Sequence, residues 1–208
     1  MIKALLLIFD PISTWDGIVR ARRSMAFVIW LYLLPLLLFT LAVEGYSMVK
    51  WGKWQSVVGR PKTFPAAEAV VVQVVQCLLS VLVVLVGAKM IKSIGETFHG
   101  QHTYDQAFTT VAYGLSPLFL LRLLDVFPGI EPWASWGIGI CLSVAVLYHG
   151  VPRMMLPDPS HAFGLYLVSS TLLVLVSGAV RFVTVSCLAG KFPLLETAIS
   201  NLAARLPF

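Results

Sequence analysis

The chain has 208 residues, of which 58% are hydrophobic and only 12% charged, and its net charge is +5. Soluble domains carry about 25% charged residues, so this composition, with a mean hydropathy of +0.86, excludes an ordinary water-soluble globule. The positive surplus is small, and outside the apolar runs no basic stripe is interleaved with aromatics. A nucleic-acid partner is therefore excluded, while attraction to anionic lipid headgroups remains.

The N-terminal run Ala4 to Phe9 is too short for the apolar region of a signal peptide and stops at Asp10-Pro11, so it is expected to be retained. From Pro11 to Arg23, Ile12, Trp15, Ile18 and Val19 recur at helical spacing, with Asp16, Arg20 and Arg23 elsewhere. That pattern predicts an amphipathic helix at the membrane surface, with Trp15 as a headgroup-level anchor, within an N-terminal segment of residues 1–24.

Five windows then contain no charge: Ser24 to Val43, Ala69 to Ala88, Gln106 to Leu121, Pro132 to Pro152 and Ala162 to Val180. A helix crossing about 30 Å of hydrocarbon needs roughly 20 apolar residues. The predicted spans are 25–43, 69–91, 106–127, 133–152 and 162–188, the third reaching full length only by running past Arg122. The fold class is an all-α membrane protein: a five-helix bundle over residues 25–190, an interfacial helix before it and a short tail, 191–208, after it. Between the first two spans, Trp51 and Trp54 alternate with Lys50 and Lys53, as interfacial anchors do. Basic residues near the spans are almost evenly divided between the two sides. The dense cluster Arg20, Arg22, Arg23 just before the first span places the N-terminus in the cytoplasm and the C-terminus outside.

Arg122 and Asp125 stand at the end of the third span, where they can form a local pair at i,i+3 and snorkel to water. Arg122 lies about 24 Å along that helix and Arg181 about 28 Å along the fifth, which runs in the same direction. Glu44, just after the first span, shares that depth. The expectation is an inter-helix charge layer of Arg122, Asp125, Arg181 and Glu44, with Arg181 meeting Asp125 or Glu44. Pro35 and the stretch "AYGLSP" predict kinks, and the small and hydroxylated residues of the fourth and fifth spans predict close helix packing.

His99, His102, His149 and His161 all fall on the N-terminal side, near Asp105 and Asp158, and His-x-x-His with a carboxylate is a possible metal set. The His-Glu-x-x-His spacing is absent, and loops are where titratable residues collect when lipid excludes them. No P-loop, G-x-S-x-G or G-x-G-x-x-G is found. Cys77, Cys141 and Cys187 are widely spaced and support neither a disulfide framework nor a zinc knuckle.

Five spans, "FDPISTW" near the start, "AYGLSPLFLLRLL" in the third span and "YHGVPRMM" followed by "DPSHAFG" after the fourth together resemble the Yip1 family, in its compact bacterial branch. The resemblance implies a five-helix integral membrane protein with a cytoplasmic N-terminus. Eukaryotic relatives reside in Golgi and ER membranes and are associated with prenylated Rab GTPases and vesicle trafficking. Here the first span begins after only about two dozen residues, and Ala112-Tyr113-Gly114 stands where those relatives carry a Tyr-Gly-Tyr-type stretch. The expectation is thus a bacterial cytoplasmic membrane protein that does not bind Rab-type GTPases, is not an enzyme and needs no cofactor. Its role would be membrane organisation or binding of a membrane-protein partner, itself included. A small transporter or channel using the polar faces of the third and fifth spans is the alternative, and a metalloprotein built on the histidines a further one.

Overall fold

The computed structural model describes residues 2–55, 60–97, 103–127, 129–158 and 160–205. Two short helices, α1 (Ile2–Phe9) and α2 (Pro11–Ala21), lead into five long ones. These are α3 (Met25–Lys50), α4 (Ala66–Thr97), α5 (Tyr104–Val126), α6 (Pro132–Met155) and α7 (Ala162–Leu188), each long and apolar enough to cross a membrane. A further helix, α8 (Pro193–Ala203), follows them. Between α3 and α4 the chain forms a short antiparallel ribbon, β1 (Lys53–Gln55) and β2 (Arg60–Lys62), with Lys53 opposite Lys62. The molecule is an all-α membrane bundle.

All five long helices overrun their charge-free windows. α3 passes Glu44 and ends at Lys50, so Glu44 sits inside the helix rather than after it. α4 continues past Lys89 to Thr97, and Lys92 Nζ lies 3.6 Å from Glu96 Oε1 one turn on. A helix keeps its backbone bonds in water as in lipid, so a change of solvent need not end it. The tail beyond α7 likewise contains α8, whose Ile199 packs with Leu188 against Met48, Phe64, Ala69 and Val72.

α5 is the central helix, with 78% of its apolar window buried against 17% for α7. Its sequence demands support at the Ser116-Pro117 step. Pro117 has no N–H to donate, and the α-helix breaks at Leu115. The freed groups are taken up by side chains. Ser116 Oγ donates to the Tyr113 carbonyl at 2.7 Å, and the Leu118 N–H donates to Ser143 Oγ of α6 at 3.2 Å. In α3 the turn before Pro35 widens into a π-type segment, Ile29–Leu33, for the same reason.

The N-terminal segment is two helices rather than one. Asp10 caps α2, accepting from the Ser13 N–H at 3.3 Å and from the Ser13 hydroxyl. That hydroxyl is the main cause, ahead of the backbone bond, holding the Asp10 carboxyl below its usual range. α1 and α2 pack on each other; α1 rests on the second half of α5 and α2 on α6. Lys3 and Arg22–Arg23 line one cleft at the N-terminal end of the bundle, so the pair folds back on itself.

Trp15 corrects the sequence reading. It is fully buried, its Nε1 donates to the Val146 carbonyl at 3.0 Å, and its ring lies edge-on to Tyr113 at 6.4 Å. Gly150 makes room for it, since a Cβ there would overlap the indole. An apolar stripe at helical spacing does not distinguish lipid from protein as its partner, and here α6 offers the better-fitting surface. Trp51 is half exposed, its ring edge-on to Tyr46 at 6.5 Å.

Candidate functional site

The feature with the most chemistry lies at the end of the bundle opposite the N-terminus. α3 supplies Glu44, α5 supplies Arg122 and Asp125, α6 supplies Ser135, and α7 supplies Arg181. All four expected charges meet in one layer, but not in the local arrangement of Arg122 with Asp125. Arg122 Nη2 lies 2.9 Å from Glu44 Oε2, and its Nη1 donates to Ser80 Oγ of α4 at 3.3 Å. Arg181 Nη2 lies 2.9 Å from Asp125 Oδ1 and 2.7 Å from Oδ2, and also donates to the Pro132 carbonyl at 2.6 Å. The Ser135 hydroxyl donates to Asp125 Oδ1 as well.

The exchange of partners follows from burial. The side chains of Glu44 and Asp125 are each 2% exposed. A buried charge without a partner costs several kcal/mol, and attraction grows as the effective dielectric falls. Pairs made across helices enclose both ions, whereas a pair along one helix surface would leave them on its flank. In addition, the last turn of α5, Arg122–Val126, tightens to a 3-10 helix, and Ser47 Oγ of α3 donates to its Val126 carbonyl at 2.5 Å.

Lys53 is the member that sequence reasoning missed. It was grouped with the headgroup anchors, yet it is 8% exposed, its Nζ is 3.5 Å from Glu44 Oε1, and it donates to the Asp125 carbonyl. Alternation along a strand sends successive side chains to opposite faces, so a lysine in the β1 ribbon can point back under it. The layer therefore holds three cations and two carboxylates.

Two clefts reach this layer. One of about 60 Å³ lies among α4, α5, α6 and α7 and is lined by Arg122, Asp125, Ser135, Trp136 and Arg181 with apolar neighbours. The other, about 270 Å³, is lined by Glu44, Lys53, Asp125, Glu131, Arg181 and Lys191 among others.

Of the four histidines, the described residues include two. His99 and His102, like the side chain of Trp54, lie outside the described residues. His149 stacks edge-on to Tyr148 at 5.1 Å, and His161 sits beside Ser160 at the start of α7. Among the described residues no group of three or more His, Cys, Asp or Glu stands close enough to hold a metal. None of the three cysteines is in a disulfide.

Comparison with curated proteins and with solved structures returned no match. The family model described as "Yip1 domain" matches residues 5–181, from α1 through the five spans to Arg181 of the charge layer. With that match over most of its length, and with five membrane-length helices, the chain belongs to the Yip1 family.

Proposed function

We propose that this chain is a non-catalytic organiser of a bacterial cytoplasmic membrane, acting through its N-terminal helix pair on the cytoplasmic face. One observation carries the reading. The pair is locked to the bundle by Trp15 on one side and presents Ile2, Leu5, Leu6, Phe9 and Ile12 exposed on the other. A face of that kind is unsuited to water and suited to the boundary between headgroups and acyl chains. Arg20, Arg22 and Arg23, exposed at its end, suit the anionic lipids of that leaflet. An element held rigidly in one leaflet occupies area there and not in the other, which is the physical requirement for bending or sorting a membrane.

The same face can receive a second membrane protein or another copy of the chain, and the test separates these uses. The full chain is reconstituted into vesicles at rising density, beside a variant with Leu5→Ser, Leu6→Ser and Phe9→Ser in which Trp15 is kept. Narrowing or tubulation by the wild type, lost in the variant, supports the reading. Unchanged vesicle shape at every density, with crosslinks from Phe9 only to protein, replaces membrane shaping by partner binding. A solute path through α5 and α7 has weaker support, because their facing charged groups are tied into an ion pair.

A further inference from the structure

The bonding of the two arginines is lopsided. Among the described residues every hydrogen bond of Arg181 passes through Nη2, and its Nε has no partner although the residue is only 9% exposed. Arg122 Nε is buried and unpartnered too, and so is the indole N–H of Trp136. Buried N–H groups without acceptors are rare and each costs about 1–3 kcal/mol. All three residues line the same cleft between α4 and α7.

Charge points the same way. Lys53, Arg122 and Arg181 pair with Glu44 and Asp125, and the adjoining cleft adds Glu131 and Lys191, so four cations meet three carboxylates and the layer carries one formal positive charge in excess at a depth where unpaired charge is expensive. The rest of the cleft wall is graded: Ser177 and Thr184 add hydroxyls, while Val83, Leu118, Phe119 and Val180 form an apolar side. Arg122 lies about 27 Å along α5 from Tyr104, near the far boundary of the hydrocarbon. Trp136 is held at the cleft by α7, where Gly178 leaves room: a Cβ there would lie 3.2 Å from its Cζ2.

We propose that this cleft binds the phosphate group of an anionic amphiphile, with Arg122, Arg181 and the Trp136 indole N–H as donors and the apolar wall against the first methylenes of its chain. Guanidinium groups match phosphate oxygens in geometry as well as charge. An anion in the cleft would offer acceptors where the protein leaves donors without them, and would cancel the surplus charge. A phospholipid of the outer leaflet and free phosphate share this chemistry; the apolar wall favours the lipid.

The test uses the full chain, purified in a neutral glycosidic detergent and stripped of lipid. Its melting temperature is followed while short-chain phosphatidylglycerol is added, and separately inorganic phosphate. Two variants accompany it: Trp136→Phe, which removes one donor and keeps both ion pairs, and Lys53→Met, which removes the surplus charge without altering the cleft wall. The quantity compared is the rise caused by the probe, so a shift in either variant's unliganded stability does not obscure it. Binding at the basic N-terminal cleft contributes equally to all three proteins. The expected result is a rise in the wild type that needs at least fivefold more phosphatidylglycerol in Trp136→Phe and in Lys53→Met. No response to inorganic phosphate assigns the site to lipid, and an equal response assigns it to the free anion. A full rise retained in Trp136→Phe, or no rise with either probe, overturns the proposal.

Discussion

The two ends of the bundle are closed in opposite ways. At the N-terminal end the charges stay on the rim, where Arg153 Nε and Asp16 Oδ1 meet at 3.1 Å with side chains 32% and 45% exposed, and a neutral indole fills the interior. At the far end the charges themselves are the filling, with both carboxylates almost wholly enclosed. Similar residue types thus do different work, and burial decides which. An exposed pair is worth about 0–1 kcal/mol, while breaking an enclosed one strands an ion at a cost of about 3–5 kcal/mol.

The largest expected effect is at the far end. Arg181→Leu leaves the Asp125 carboxylate with the Ser135 hydroxyl but no side-chain cation, and should cost about 3–5 kcal/mol in reversible unfolding from mixed micelles. Arg122→Leu should cost less, because Lys53 remains 3.5 Å from Glu44. Equal losses would show that Lys53 does not share the load. At the other end, Trp15→Ala removes a fully buried side chain together with its bond to Val146, and about 3 kcal/mol should be lost in the same measurement. A loss under about 1 kcal/mol would mean that the helix pair is not docked. Lys53→Met should fall within about 1 kcal/mol, since the two arginines still balance the two carboxylates. Asp16→Asn, on the rim, should be barely detectable and should vanish in high salt.

The smallest effect concerns acid. Asp10 has its carboxyl held below the ordinary value of 3.8 by the Ser13 hydroxyl, so its capping bond is fully present above that value. The bond is lost as pH falls through the lower folded-state pKa. Amide exchange in the first turn of α2 should quicken there, and Ser13→Ala should raise the pH at which it does.

How much of this was legible in the residues also divides between the ends. The spans could be read because lipid excludes charge, and a charge-free run of sufficient length has few other meanings. Arg122, Asp125, Arg181 and Glu44 could be placed at one depth because rise per residue converts position into height. That Arg181 would meet Asp125 or Glu44 could be read, but not which of the two, nor that Arg122 would take Glu44, because that depends on how each helix is rotated about its axis. Lys53 escaped because a lysine beside tryptophans at a span's end ordinarily marks the headgroups, and only the fold of the ribbon turns it inward. Trp15 was misread because spacing describes a helix face but not what covers it. α1 and α8 are too short for a span-length window to register.

The central claim is that ion pairs made across helices hold the far end together. A double-mutant cycle of Arg181→Leu and Asp125→Leu tests it most directly. The two single variants should each lose about 3–5 kcal/mol, and the double variant scarcely more than either, a coupling of at least about 2 kcal/mol. Losses that simply add would show that the two side chains act independently and would contradict the account.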